Sequence, residues 1–344
     1  MLARRVFIDI IYQGVNITDD LKKDLKKFSY TDNANGSADD ISIELKDETR
    51  KWINSWAPTK GDYIEASINT LNWNKEGESE NVAIGKYFID KIDYKRPPST
   101  IGIGAISSPV NGFMDETRSK TYEKSTVKNL AEYIASRNSL ELFFDSKNDP
   151  VTDFIEQSET SDSEFLQDIC TKYGLALKIF SQKIVIYSES EYEQRASIAT
   201  LAEPDFEKYP NANLIIPLIE WSASTNLSGV GYTSCSVKYK NPSGKEVAYT
   251  FDTGKEGKKL VINESVDNIY QAELLAKSRL REYNKKEYSL SAKIKANLKL
   301  FAGACVDVEN IGIFSGKYFI DKISHDIGGG YSMDLEMHRC LEGY

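Results

Sequence analysis

The chain has 344 residues, of which 40% are hydrophobic and 28% charged, and a formal net charge of −9. That length exceeds one ordinary core and points to two or three domains of a soluble globular protein. The acidic balance excludes a protein that wraps nucleic acid through phosphate contacts, and no apolar run approaches the ~20 residues that cross a bilayer.

Residues 6–12 follow Arg4-Arg5, carry an acid, Asp9, and lack a small-residue cleavage site, so they read as a first strand rather than a leader. Residues 31–37 are turn chemistry, and Ile41, Ile43 and Leu45 then share one face at period two. A glycine turn at Gly61 opens the next strand, and residues 69–80 read as a polar exposed loop. The segment Gly85-Lys86-Tyr87-Phe88-Ile89-Asp90-Lys91-Ile92 then recurs unchanged as Gly316-Lys317-Tyr318-Phe319-Ile320-Asp321-Lys322-Ile323. Its offset is far larger than a solenoid period, so it marks two copies of a domain. Both copies follow a glycine-opened strand (Gly61, Gly303) and end as strand, turn, strand, broken at Pro97-Pro98 or at Gly328-Gly329-Gly330.

Between the copies the pattern changes. Residues 125–137 place Val127, Leu130, Ala131 and Ile134 on one helical face. Ser161-Asp162-Ser163-Glu164 is a capping box ahead of Phe165, Leu166, Ile169, Cys170 and Tyr173, and Gly174 stops that helix. Residues 175–180 and 183–187 form a hairpin, and residues 202–217 connect onward. Further on, residues 234–239 and 246–251 flank Asn241-Pro242-Ser243-Gly244 as another hairpin. A helix over residues 267–283 would bury Ile269, Ala272, Ala276, Leu280 and Tyr283. The fold class is therefore mainly β with an α+β insert: a β-barrel over 1–110, an α+β domain over 111–215, and a second barrel with one helix over 216–344.

Catalytic constellations are scarce. The two histidines, His325 and His338, fall outside metal-ligand spacings and read as near-surface or interface residues. No GxSxG or P-loop occurs, and Gly102-x-Gly104 reads as a close-packed strand. Paired acids such as Asp39-Asp40 would suit a glycosidase only at a separation that sequence does not show, which leaves a cell-wall hydrolase as the alternative reading. Cys170, Cys235, Cys305 and Cys340 read as reduced, mostly buried thiols. No catalytic, cofactor or metal residue is expected. The residues singled out are those of the repeat: Gly85, Tyr87, Phe88, Ile89 and Ile92, with Gly316, Tyr318, Phe319, Ile320 and Ile323. Of Tyr87-Phe88 and Tyr318-Phe319, one member each should be core and its neighbour should face out.

The run Ser37-Ala38-Asp39-Asp40-Ile41-Ser42-Ile43-Glu44-Leu45, with Trp52 and Pro58-Thr59-Lys60-Gly61-Asp62-Tyr63-Ile64, resembles the first barrel of the phage late control D family, the baseplate hubs of contractile tails. Leu130-Ala131, Ser163 to Leu166, Tyr173 to Lys178 and Ile269 to Leu280 are similar to later blocks of the same family, so the resemblance covers nearly the whole chain. It implies two tube-protein-like barrels per chain and a homotrimer whose six barrels form a pseudo-sixfold ring. That ring would join a hexameric tail tube to a trimeric spike, with other baseplate proteins and the tape measure protein nearby. With the reduced cysteines the resemblance implies manufacture in a bacterial cytoplasm, and, unlike type VI relatives, a spike expected on a separate chain; the acidic charge and the lack of a long apolar run leave no stable nucleic-acid binding and no integral membrane segment expected. Three copies at −9 each would make an acidic ring, with acids along its lumen.

Overall fold

The computed structural model describes residues 2–108, 112–205, 208, 215–240 and 246–343. Its main sheet contains two sets of strands in the same neighbour order. The first runs Leu25–Asn33, Asp40–Lys46, Thr100–Ile106, Ser79–Lys95, Tyr63–Leu71, Arg5–Tyr12. The second runs Ile216–Thr225, Tyr288–Lys295, Tyr331–Arg339, Gly316–Ile327, Cys305–Glu309, Thr200–Ala202. In the second set Thr200–Ala202 pairs in parallel with both Ile216–Thr225 and Cys305–Glu309, which closes a six-strand barrel. The first set curls the same way but keeps a seam between Arg5–Tyr12 and Leu25–Asn33. Helix Thr18–Lys22 spans that seam, tied by Ile17 N–H to Ile10 O at 3.0 Å and carrying Leu21 into the core.

Alternation explains the burial. Along Asp40–Lys46 the residues Ile41, Ile43 and Leu45 are at most 1% exposed while their neighbours face out. One apolar core runs through both units, from Ile10, Phe28 and Tyr87 to Tyr318, Ile323 and Leu335. Continuity follows from the joint between them: Leu25–Asn33 pairs antiparallel with Gly316–Ile327, from Phe28 opposite Ile327 to Asn33 opposite Lys322.

The α+β part holds helices Val127–Arg137 and Asp162–Lys172 against a sheet of Leu175–Phe180, Lys183–Ser188 and Glu141–Asp145, around its own core of Leu130, Ile134, Leu166 and Ile186. Ser161 caps the second helix, accepting from Glu164 N–H while the Glu164 carboxylate accepts from Ser161 N–H, as the sequence indicates. Such a cap stabilises by roughly 1 kcal/mol. Gly174 follows at φ +71° and ends the helix.

Several expectations need correction. The hairpin Tyr232–Lys240 with Glu246–Asp252 is not part of a barrel. With Lys258–Ile262 it forms a separate sheet, inserted between two barrel strands and closed over by helix Ile269–Asn284. Its turn, Asn241 to Gly244, lies outside the described residues. The helix buries Ala272, Leu275, Ala276 and Leu280, whereas Ile269 is 62% exposed and Tyr283 faces solvent, because its neighbours are the small sheet on one side and helix Asp162–Lys172 on the other. The exposed loop is shorter than residues 69–80, since strand alternation continues through Leu71 and resumes at Ser79. Inside that loop Trp73 is buried, donating its indole N–H to Ala296 O at 2.7 Å. The connection 202–217 begins and ends as paired strand, Ala202 opposite Pro217, and its middle lies largely outside the described residues.

Candidate assembly surface

The repeated octapeptide occupies the same place in both units. Tyr87 lies opposite Ile64 and Tyr318 opposite Val306; Ile92 lies opposite Ile103 and Ile323 opposite Leu335. Each copy has a bulge at its aspartate, between Ile89 and Lys91 and between Ile320 and Lys322. The same two backbone bonds brace each copy. Gly61 N–H donates to Ile89 O and Gly303 N–H to Ile320 O, both at 2.8 Å; Ile89 N–H donates to Asp62 O and Ile320 N–H to Ala304 O, at 2.8 and 2.9 Å. The two tyrosines are fully buried and satisfy their hydroxyls locally, Tyr87 on Ile84 O and Tyr318 on Phe314 O, each at 2.7 Å. The opening glycines differ: at Gly85, φ +100°, an added Cβ would lie 2.8 Å from the Ser181 side chain, whereas Gly316 faces the flexible Arg339 side chain.

Outward neighbours of the tyrosines part company. Phe88 is half-buried, but Phe319 is 1% exposed, which corrects the expectation that it faces out. The α+β part covers it with Ala176 and Tyr187, and the His338 ring lies 5.3 Å away. Lys86 stands 3.9 Å over the Tyr63 ring, while its counterpart Lys317 donates to Glu193 O at 2.7 Å. One copy of the motif thus stays accessible and the other is sealed by the middle of the chain.

Both histidines are buried, against the surface reading. His325 sits between Tyr30 and Tyr331, its Nδ1 2.7 Å from the Tyr331 hydroxyl, and burial lowers its pKa to about 4. For His338, burial works against the charged form, but the Asp321 charge and hydrogen bonds to Asp321 (2.8 Å) and Glu193 (3.0 Å) outweigh it and push the imidazole up to about 10. Glu189, Glu193 and His338 converge closely enough to suggest a cation site. Arg281 already pairs with Glu193, Lys285 lies 3.2 Å from Glu189, and a protonated imidazole offers no lone pair, so protein cations fill this cluster. Its role is to bind the inserted helix, the α+β part and the barrel together. No signal in the sequence joins these residues, because they come from three distant segments.

A second buried knot lies where the two units meet. Lys178 pairs with Asp32, stands 3.2 Å from Asp39 and donates to Asn33 O at 2.8 Å; Asp32 also accepts from Ala302 N–H at 2.8 Å. One carboxylate on the joining strand therefore ties the first unit to both the α+β part and the barrel. The four cysteines are free thiols, three of them buried and Cys340 partly so, and Cys305 and Cys340 sulfurs lie 3.8 Å apart. Among the described residues, no helix is long and apolar enough to cross a membrane.

This fold, a barrel joined edge to edge to a barrel-like sheet with an α+β part between, is similar to that of solved tail proteins. The structure matches a tail protein from Neisseria meningitidis (TM-score 0.69, 12% identity, 97% of this chain and 96% of that one). It also matches a 43 kDa prophage tail protein from Shewanella oneidensis (TM-score 0.71, 12% identity, 97% and 98%). An Escherichia coli type VI secretion component, described as similar in structure to T4 tail proteins, matches at TM-score 0.57 (12% identity, 93% and 75%). No family model matches the sequence. In sequence the chain is similar to the probable baseplate hub proteins of Escherichia phage 186 (27% identity) and phage P2 (24%), each over 171 residues. That match takes in 49% of this chain and 42% of either hub protein.

Proposed function

We propose that the chain is the structural baseplate hub of a contractile tail or tail-like injection particle. In this reading it is a homotrimer without catalytic function, whose six barrel units close a pseudo-sixfold ring. The ring joins a hexameric tail tube to a trimeric spike, beside other baseplate proteins and the tape measure. The observation that carries the reading is the register-matched duplication. Two units of identical strand order, with bulges at the same aspartate, are already joined by a strand ladder inside one chain. Three such chains would offer six near-equivalent units, which is what a threefold partner and a sixfold partner both need. The similarity to phage hub proteins agrees with it.

Native mass measurement of the purified chain, alone and mixed with candidate tube and spike proteins, tests this. Species in multiples of three are expected; a chain that stays monomeric with every partner would sink the proposal.

A further inference from the structure

The ladder inside the chain has an unfilled counterpart. Residues 28–33 pair with 322–327, and the Lys27 ammonium meets the Asp326 carboxylate at 2.7 Å at one end. The repeat places residues 91–96 where 322–327 stand in the other unit. The partner strand maps equally well: Phe28 lies opposite Ile43 and Trp221 opposite Ala292, residues that in turn face Ile103 and Leu335. Both strands bulge at the same point, between Leu25 and Lys27 and between Leu218 and Glu220. Residues 221–226 are therefore the counterpart of 28–33.

Neither counterpart edge is used. Among the described residues, 91–95 are laddered only to 100–104, and 220–225 only to 288–293. Their inward side chains stand half-exposed at Ile92, Tyr94, Trp221 and Ala223, where Ile323, His325, Phe28 and Tyr30 are buried. Two open edges with apolar inner rows are a template for strand pairing. The charges identify the occupant. Lys27 is replaced by Glu220 and Asp326 by Lys95, so the ion pair that ends the internal ladder reappears with its signs exchanged. Neither Glu220 nor Lys95 has an ion-pair partner among the described residues.

We infer that residues 221–226 of one copy add antiparallel to residues 91–96 of the next, with Ala223 opposite Tyr94 and Glu220 paired to Lys95. The inference rests on the hub reading and supplies the joint of its ring. The exchanged signs also reject the wrong combinations, since Lys27 against Lys95 and Glu220 against Asp326 are like charges.

Asp93 and Ser224 are directly opposite and solvent-facing in this register. Oxidation of purified full-length D93C/S224C is expected to give covalent species ending at a trimer on non-reducing electrophoresis, with D93C/S222C cross-linking far less. E220K and K95E alone are each expected to lower the trimer's association by roughly tenfold or more, and E220K/K95E to restore it. A wild-type chain that never forms a trimer overturns the hub reading and the joint together. A wild-type trimer with no D93C/S224C cross-link, or with no recovery in the exchanged pair, overturns the joint and leaves the hub reading standing.

Discussion

At the scale of single residues, the chain sets two histidines to opposite tasks with the same elementary forces. His325 has tyrosine rings on both sides and the Asp32 charge is too weak to offset its burial, so it stays neutral with a pKa of about 4. Protons then favour the unfolded chain, whose imidazole titrates near 6.5, and the stability that His325 contributes is lost as pH falls from 6.5 through 4. His338 runs the other way: its stabilisation is whole below pH 6.5 and is lost as pH rises through about 10. Thermal unfolding between pH 4 and 10 is expected to weaken at both ends. H325F should flatten the acid side by on the order of 3 kcal/mol, and H338N should flatten the alkaline side at lower overall stability. Unchanged limbs in these variants would refute the assignment. Asp32 is the other single residue with a large effect. D32A leaves the buried Lys178 ammonium with Asp39 as its remaining carboxylate and takes the acceptor from Ala302 N–H, and urea unfolding is expected to show a loss of about 2–3 kcal/mol.

Elements were legible where the signal is local. The capping box at Ser161, the helix stop at Gly174 and the alternation of Asp40–Lys46 rest on neighbours within a few residues, and the structure places them as read. Burial imposed from a distance was not legible. Phe319 and Phe88 have identical flanking residues, yet only the first is sealed, because Tyr187 and Ala176 arrive from another part of the chain. Trp73 looked like part of a polar loop, but its partner Ala296 is 223 residues away. The second hairpin was read into the barrel because its alternation resembles barrel strands; its pairing with Lys258–Ile262 and the helix lying over it show that it is separate. Gly85 tests the element scale directly. With φ at +100° and Ser181 2.8 Å from the position of a Cβ, G85A is expected to cost about 1–3 kcal/mol by denaturant unfolding, whereas an exposed glycine such as Gly329, with open space around it, should tolerate alanine with little change.

Across the whole molecule, duplication matters as geometry. The octapeptide is a strand with a bulge that sets where the outer edge of each unit begins, and the internal ladder uses one such edge while its twin stays open. Sequence alone revealed that two copies exist. It could not reveal that they share one sheet, since the pairing of Leu25–Asn33 with Gly316–Ile327 joins residues nearly the length of the chain apart. The net charge of −9 per chain, carried into a closed ring, is expected to leave the channel acidic, so that nucleic acid passing through would be repelled rather than held. The most direct measurement is electron microscopy of the purified assembly viewed down its axis. A closed ring of threefold symmetry with six nearly equal lobes is expected; a two-fold particle, an open filament or a ring with any other number of lobes would contradict the account.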